Sequence, residues 1–496
     1  MKKLNYQTLN EMGYNGYLLK DASVRALQFG EGNFLRAFTN HFIDVMNEKA
    51  GFNGKVTLVQ PIGFAPQIAD IINEQEGLYT LYLRGVVDGK EVTEKRVISC
   101  VDKCINPYRD YQALLGEAKN PDLRFILSNT TEAGIVYDEN STFDQTPPDS
   151  FPAKLTRFMY ERFSLGLPGF IILSCELIDN NGKELEKCVK MHCDAWNLSE
   201  EFKQWVSNEN IFCSTLVDRI VTGYPKTEAE ELNNQNGYID NLLDTGEIFG
   251  FWVIEGPDSI KDEFPCEKAG LPILITDDHS PYKQRKVRIL NGAHTAMVPG
   301  AFMSGLDTVL ECMNNDVVSS FIEKILQNEI MPTLTLPKEE VEEFARSVSD
   351  RFKNPYIRHE LLSISLNSIA KWKARLMPSL LGYFEKFGEL PKLITLSFAS
   401  CVWFYHQGKE FKDGTLTGER NGVPYPIVDD NWVLEFFYEH KDASTETLAK
   451  AVIENEKMWG TELKSLPNFT ETISKILSEI KEKGINSALK EHVYEI

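Results

Sequence analysis

Basic charge is scarce in this chain. Over 496 residues, 52 Lys and Arg stand against 73 Asp and Glu, a formal net charge of −21. That balance argues against nucleic acid or an anionic membrane as the main partner. A local basic pocket on an acidic protein still suits an anionic small molecule. Paired Cys-x-x-Cys spacing is also missing. The nine cysteines are odd in number and scattered, which leaves neither a zinc site nor a disulfide framework. Cys188, His192 and Cys193 come nearest to a ligand set, but no second pair stands close by. The opening Met1-Lys-Lys-Leu-Asn-Tyr-Gln has no apolar stretch of signal-peptide type. The most apolar helix-like run, Leu393 to Tyr405, is too short to span a bilayer. These absences describe a soluble, cytoplasmic protein of a reducing compartment. No internal repeat or low-complexity linker interrupts it. The length suits two or three domains, and the 42% hydrophobic content supplies their cores.

What is present begins with a strand, a glycine turn and a helix. Val24–Phe29 reads as a buried strand and ends at Gly30-Glu-Gly32-Asn-Phe-Leu-Arg36, after which Phe38, Phe42, Val45 and Met46 follow helical spacing. This is the context of a dinucleotide-binding turn, in which glycines admit the pyrophosphate and the helix N-terminus offers it free N–H groups. The pattern departs from G-x-G-x-x-G because Leu35 takes the third glycine position. A second strand, Lys55 to Gln60, ends in an amide where a carboxylate often meets the ribose. No basic cluster follows it to receive a 2′-phosphate, so NAD is expected rather than NADP. Leu78 to Val86 and Glu91 to Ile98, joined through Asp88-Gly89, read as an inserted hairpin. Arg124 to Asn129 and Gly169 to Leu177 are further buried strands. They end in polar groups at Asn129, Thr130, Glu132 and Glu176, where doubly wound sheets place ligands. Phe251 to Gly256 and Leu271 to Asp278 close this half. Asp277, Asp278 and His279 read as a strand-end turn rather than a metal site.

From Lys286 onward helical patterns take over, at Asp316 to Ile330, Lys338 to Phe352, Leu361 to Phe387, Leu393 to Gln407 and Thr445 to Glu454. The expected architecture is therefore an α/β Rossmann-type doubly wound domain over 1–280 and an all-α domain over 281–496. At the entrance to the second lies Lys286-Val-Arg-Ile-Leu-Asn-Gly-Ala-His294. On an ordinary helix Asn291 and His294 stand about 140° and 80° around from Lys286, an arc narrow enough to line one wall of a cleft. The same residues also suit a solvated helix face that ends at Gly292. An amine, a carboxamide and an imidazole together serve proton transfer at an alcohol oxygen, the amine as acid or base and the others holding developing charge.

Five motifs in order resemble the long-chain, polyol-specific dehydrogenases of the mannitol dehydrogenase family. They are Gly30-x-Gly32-x-Phe34-x-Arg36, Ser174-Cys-Glu176, Val217-Asp-Arg-Ile220, Trp252-Val-Ile-Glu255 and Lys286-x-x-x-x-Asn291-x-x-His294. Ser128-Asn-Thr-Thr-Glu-Ala-Gly134, Ser150-Phe-Pro-Ala-Lys-Leu-Thr156, Arg351-Phe-x-Asn-Pro355 and Leu366-Asn-Ser-x-x-Lys371 are similar to members acting on hexuronates and aldonates. The resemblance implies a metal-independent NAD enzyme with Lys286 as acid/base and Asn291 and His294 bonding the reacting oxygen. The cofactor would lie along Gln28, Phe29, Gly30, Glu31, Gly32, Asn33, Phe34, Arg36, Gln60, Asn129, Thr130, Glu132, Cys175 and Glu176. Glu255, Lys371 and Arg375 are the residues expected at the substrate, with Lys371 the leading partner for a carboxylate. Two positions depart from the polyol members. Leu177 stands where they carry Asn, and Ser363 where they carry Arg, so the substrate does not transfer from mannitol enzymes. Rival readings are a fructuronate or mannitol-type dehydrogenase, a methyltransferase using the glycine turn, and a non-catalytic nucleotide sensor. Oligomeric state is not legible.

Overall fold

The computed structural model describes residues 1–63, 67–130 and 134–494. They form two compact units, Met1–Gly85 with Glu91–His279 and Val86–Lys90 with Ser280–Ile496. Among the described residues no helix is long and apolar enough to cross a membrane.

The first unit is built on a sheet of eight strands. These are β1 (Val24–Phe29), β2 (Lys55–Val59), β5 (Val101–Ile105), β6 (Phe125–Ser128), β7 (Ile171–Ser174), β8 (Ile211–Asp218), β10 (Phe251–Glu255) and β11 (Ile273–Thr276). A smaller sheet joins β3 (Tyr79–Val87), β4 (Lys90–Ile98) and β9 (Asp244–Glu247) in the order β4-β3-β9. The large sheet runs β11-β10-β8-β7-β6-β1-β2-β5 and is parallel except where β8 meets β10. Its central strands are covered on both faces, which explains their near-continuous apolar runs. One face packs Phe38, Phe42, Trp252 and Phe264, and the other Leu114, Leu155, Phe158 and Val189. From β1 the chain moves outward to β2 and β5, then returns to β6 on the opposite side of β1. That reversal opens a crevice at the C-terminal ends of β1 and β6, where α/β sheets bind ligands. Register then does the positioning. Phe29 pairs with Val59 and with Ser128, and Ser128 with Ser174, so the residues just beyond them lie side by side.

Two sheet strands fall outside the apolar runs read from sequence. Edge strand β5 alternates buried Val101 with exposed Asp102 and Lys103, and β8 is interrupted by Ser214 and Thr215. Both therefore lack the uninterrupted apolar signature of a buried strand.

The second unit is helical, and it carries a β-meander that the all-α expectation left out. Its strands are β12 (Gly408–Lys412), β13 (Thr415–Arg420) and β14 (Val423–Ile427). Asp413-Gly414 and Asn421-Gly422 turn the chain with positive φ at both residues, the hairpin chemistry of a type I′ turn. The pattern over Leu361 to Phe387 is three helices, Leu361–Ile364, Ser368–Arg375 and Met377–Phe387, rather than one. Asn367 at φ 53° starts the second in the left-handed region, and Pro378 lies in the first turn of the third.

Candidate active site

The glycine turn follows β1 directly. Gly30 adopts φ 127°, and a Cβ there would come within 3.0 Å of Leu35 Cδ1. Leu35 thus fills the space that a third glycine would leave open, and Gly30 makes room for it. Gly32 precedes the helix, has no side-chain cap, and a Cβ on it would meet nothing within 4 Å. The helical path continues from Asn33 to Ala50 and contains a π-turn at Arg36–Asn40. An open cradle beneath free helical N–H groups fits a pyrophosphate.

The side chains around this turn mostly shape it. Gln28 is fully buried. Its amide donates to Gly30 O at 2.8 Å, and its Oε1 accepts from Asn40 Nδ2 at 2.8 Å and Thr39 Oγ1 at 3.1 Å. Phe29 packs on Phe151 with ring centres 5.0 Å apart, and Phe34 stacks on Phe38 at 5.2 Å. Burial pushes the Glu31 carboxyl up. Arg36 directs its guanidinium to Leu242 O, to the Asn33 side chain and toward Asp244.

At the ends of the neighbouring strands, Gln60 Nε2 donates to Ile62 O at 2.8 Å, and Asn129 Nδ2 donates to Cys175 O at 3.1 Å. Glu176 is buried and accepts from Ser128 Oγ, Thr130 N and Thr130 Oγ1 at 3.1–3.2 Å, which pins the loop after β6 to β7. Burial raises its carboxyl despite those bonds. Burial likewise pushes the Cys175 thiol up. Leu177, next to this carboxylate, is 66% exposed. Glu132 lies outside the described residues. Glu255, at the end of β10, is held by Lys183 at 2.7 Å and by His279. Burial works to raise its carboxyl, but those partners outweigh it and hold the group down.

His192 packs at a tilt against Tyr137 and Trp196, with ring centres 4.7 and 4.9 Å away, and neither of its ring nitrogens has a hydrogen-bond partner among the described residues. Among the described residues no cluster of three or more His, Cys, Asp or Glu could hold a metal. All nine cysteines are free and buried.

In the second unit, Lys286–Asn291 forms a π-turn that runs without a break through Gly292 into the Gly292–Met303 helix. The break at Gly292 does not occur, and the α-helical arc must be redrawn. A π-turn bonds residue i to i+5, so Lys286 and Asn291 stand nearly one turn apart and share a face more closely than 100° steps imply. Lys286 and Asn291 are partly exposed, while His294 is buried, with its Nε2 lacking a hydrogen-bond partner. Its ring stacks on Phe352 at 4.2 Å and meets His359 edge-on at 5.0 Å. Burial first, then the charges of His359, Arg351, Arg375 and Lys371, hold its pKa well below the ordinary range. His294 is thus a neutral imidazole at neutral pH, suited to bonding an oxygen rather than to pairing with a charge.

Lys371 and Arg375 lie one turn apart on the Ser368–Arg375 helix. Lys371 Nζ donates to Ile364 O at 2.8 Å, and Arg375 Nη1 donates to Thr295 Oγ1 at 3.0 Å, one residue beyond His294. Burial lowers both side chains' pKa, and Arg375 adds to the effect on Lys371. Ser363 spends its hydroxyl on Glu360 O at 2.8 Å. The structure thus gathers Lys286, Asn291, His294, Lys371 and Arg375 in one unit, while Glu255 belongs to the other. Sequence reasoning missed His359. It lies in an irregular segment between helices, where no periodicity marks a side chain's direction.

Family models cover both units. One, described as the mannitol dehydrogenase Rossmann domain, matches residues 24–268, and another, the mannitol dehydrogenase C-terminal domain, matches residues 278–481. A relative from Enterobacter sp. (strain 638), named altronate oxidoreductase, is 44% identical over 98% of this chain and 99% of its own length. A relative of the same name from Klebsiella pneumoniae (strain 342) is 43% identical with the same coverage. Among solved structures, a Pseudomonas fluorescens mannitol 2-dehydrogenase ternary complex with NAD and D-mannitol matches at TM-score 0.70 and 22% identity, covering all of both chains. A D-sorbitol dehydrogenase in substrate-free form matches at TM-score 0.80 and 19% identity, over 98% of this chain and all of that one. At these identities the two structures speak to the fold.

Proposed function

Since the chain belongs to the mannitol dehydrogenase family, we propose that it is an NAD-dependent oxidoreductase interconverting tagaturonate and altronate. The observation that carries this reading is the continuous Lys286–Met303 helical segment. It holds an amine, an amide and an orphaned, neutral imidazole within three turns, beside two cations on a packed helix. The likeness in sequence to the altronate oxidoreductases supports the substrate. The glycine cradle supports the dinucleotide, and Gln60 at the end of β2 fits ribose hydroxyls.

Bound NADH supplies a hydride to the substrate's ketone carbon. Lys286, as an ammonium, donates its proton to the oxygen that gains charge, and in the reverse direction the free amine accepts it. Asn291 Nδ2 and the His294 imidazole hold that oxygen, so the charge develops against fixed dipoles rather than water. Lys371 is the partner of the hexuronate carboxylate. The nine buried free thiols suit a reducing cytoplasm.

The test follows NADH absorbance with tagaturonate, fructuronate and fructose, with EDTA present. Rapid oxidation with tagaturonate, undiminished by EDTA, is expected. Oxidation with fructuronate or fructose instead replaces the substrate. NADH binding with no oxidation in any case removes the catalytic reading.

A further inference from the structure

Two cations, Arg375 and Lys371, stand beside His294 and its neighbour. The His359 ring lies 5.0 Å from that of His294, and Arg375 is bonded to Thr295, the next residue, with Lys371 one turn away on the same helix. Asp429 acts on Lys371, but its oxygens accept from Tyr405 Oη, Ile369 N and Asp430 N. Two cations held side by side on a packed helix next to His294 suit an anionic ligand.

The backbone of His359 is fixed next to the start of a neighbouring helix. Its carbonyl accepts from Val309 N at 3.0 Å, and a β-bridge pairs the next residue, Glu360, with Thr308. The ring meets His294 at 76°, edge to face, with centres 5.0 Å apart. Phe352 stacks on the same His294 ring, so the pair of imidazoles has little freedom to move apart. Burial lowers the pKa of His359, leaving a neutral ring that still offers one N–H. Arg375 is fixed to Thr295, and Lys371 lies one turn away on the same helix.

We propose that His359 is a specificity-determining residue of the substrate site, its ring N–H donating to the anionic end of a sugar acid that Lys371 and Arg375 attract. This rests on the sugar-acid reading above and extends it to a residue outside the Lys–Asn–His set. His294 bonds the reacting oxygen, and His359 reads the charge beside it. If His359 merely packed against His294, its loss would slow acidic and neutral substrates alike.

The intact protein decides this through His359→Phe, which keeps a ring without a donor, and His359→Gln, which keeps an N–H. Competitive inhibition by altronate is compared with inhibition by the corresponding alditol, along with the KM for tagaturonate and the NADH Kd from fluorescence. The Phe variant should weaken altronate binding and raise the tagaturonate KM at least about tenfold, the range for a hydrogen bond to a charged group. The alditol and NADH constants should stay within about twofold, and Gln should recover most of the loss. Equal losses for altronate and alditol, or unchanged altronate inhibition, overturn the proposal. If the Phe variant does not fold, as read by thermal unfolding, His359→Met takes its place. A wild type that reduces fructuronate rather than tagaturonate removes the proposed substrate only, and the same comparison with mannonate then decides His359. A wild type active on fructose alone overturns both.

Discussion

Arg36 offers the sharpest separation of shaping from binding. It lies four residues beyond Gly32 and is 4% exposed. Its Nη1 donates to Leu242 O at 2.7 Å, its Nη2 stands 3.9 Å from Asp244 Oδ2, and its guanidinium lies 5.1 Å from the Tyr79 ring centre. Asp244 is fully buried, and burial pushes its carboxyl up to about 7 even though Arg36 pulls the other way. Breaking a buried pair by removing one partner costs about 3–5 kcal/mol. At about 2–4 °C per kcal/mol for a large domain, Arg36→Met should lower the unfolding temperature by about 6–20 °C.

The pH dependence has a definite sign. Because Asp244 titrates higher in the folded protein than its ordinary 3.8, its contribution is full below pH 3.8 and is lost as pH rises toward 7. The gap corresponds to about 4 kcal/mol at about 1.36 kcal/mol per pH unit. Without Arg36 the carboxyl rises further, so the variant keeps losing stability above pH 7. Asp244→Asn in the same chain removes that slope and should restore most of the lost stability. Thermal unfolding at pH 6.5 and 8.5 reads these shifts, and NADH fluorescence reads the site. Arg36→Met/Asp244→Asn should bind NADH within about threefold of wild type, because the guanidinium faces inward. A double variant that regains its stability yet binds NADH tenfold more weakly would make Arg36 a cofactor ligand and refute this reasoning.

Three further outcomes are expected. Lys286→Met should lower kcat by about 10²–10⁴-fold with the NADH Kd unchanged, as measured by single-turnover absorbance and fluorescence titration. Gly30→Ala forces a side chain onto φ 127° and against Leu35, so about 1–3 kcal/mol of strain should appear as weaker NADH binding in the same titration. Glu329 accepts from Leu393 N at 2.8 Å and Ile394 N at 2.7 Å, and burial pushes its carboxyl up to about 7. Its contribution is therefore full below about pH 4.5 and lost by pH 7, so Glu329→Gln should remove a fall in stability of up to about 3 kcal/mol between pH 5 and 8, read by thermal unfolding across that range.

The strand–turn–helix at Val24 to Met46 was legible because a doubly covered strand needs a continuous apolar run, and the turn after it opens at Gly30, whose φ of 127° favours a residue without Cβ. The Lys–Asn–His stretch was singled out by its spacing and the family resemblance together, and the structure places its three residues on one continuous helical segment. Gln28 and Arg36 show where that legibility ends. Both fall inside the right motif, yet which way an amide or guanidinium turns depends on Thr39, Asn40, Leu242 and Asp244, contributed by other parts of the fold. Tertiary partners are invisible to local pattern. The meander at Gly408–Ile427 was missed although its Asp-Gly and Asn-Gly turns were readable, because its exposed Lys409, Glu410 and Lys412 look like a loop.

The π-turns carry the same lesson into mechanism. Of the three π-turns among the described residues, Arg36–Asn40 follows the glycine cradle and Lys286–Asn291 holds the proposed acid/base, while Ile325–Ile330 belongs to neither. A π-turn widens the helix and misaligns its hydrogen bonds, so it persists only where surrounding contacts demand it, and such turns are frequent at functional sites. At the first, Arg219 Nη1 donates to Ala37 O at 2.7 Å, so a carbonyl of the widened turn has a partner from outside the helix. At the second, the extra residue brings Lys286 and Asn291 nearly one turn apart on one side of the helix, while His294, on regular helix, packs against Phe352 and His359. Reading the stretch at 100° per residue places Lys286 and Asn291 at the wrong phase. The local widening turns Lys286 and Asn291 toward a common side of the segment that also carries His294.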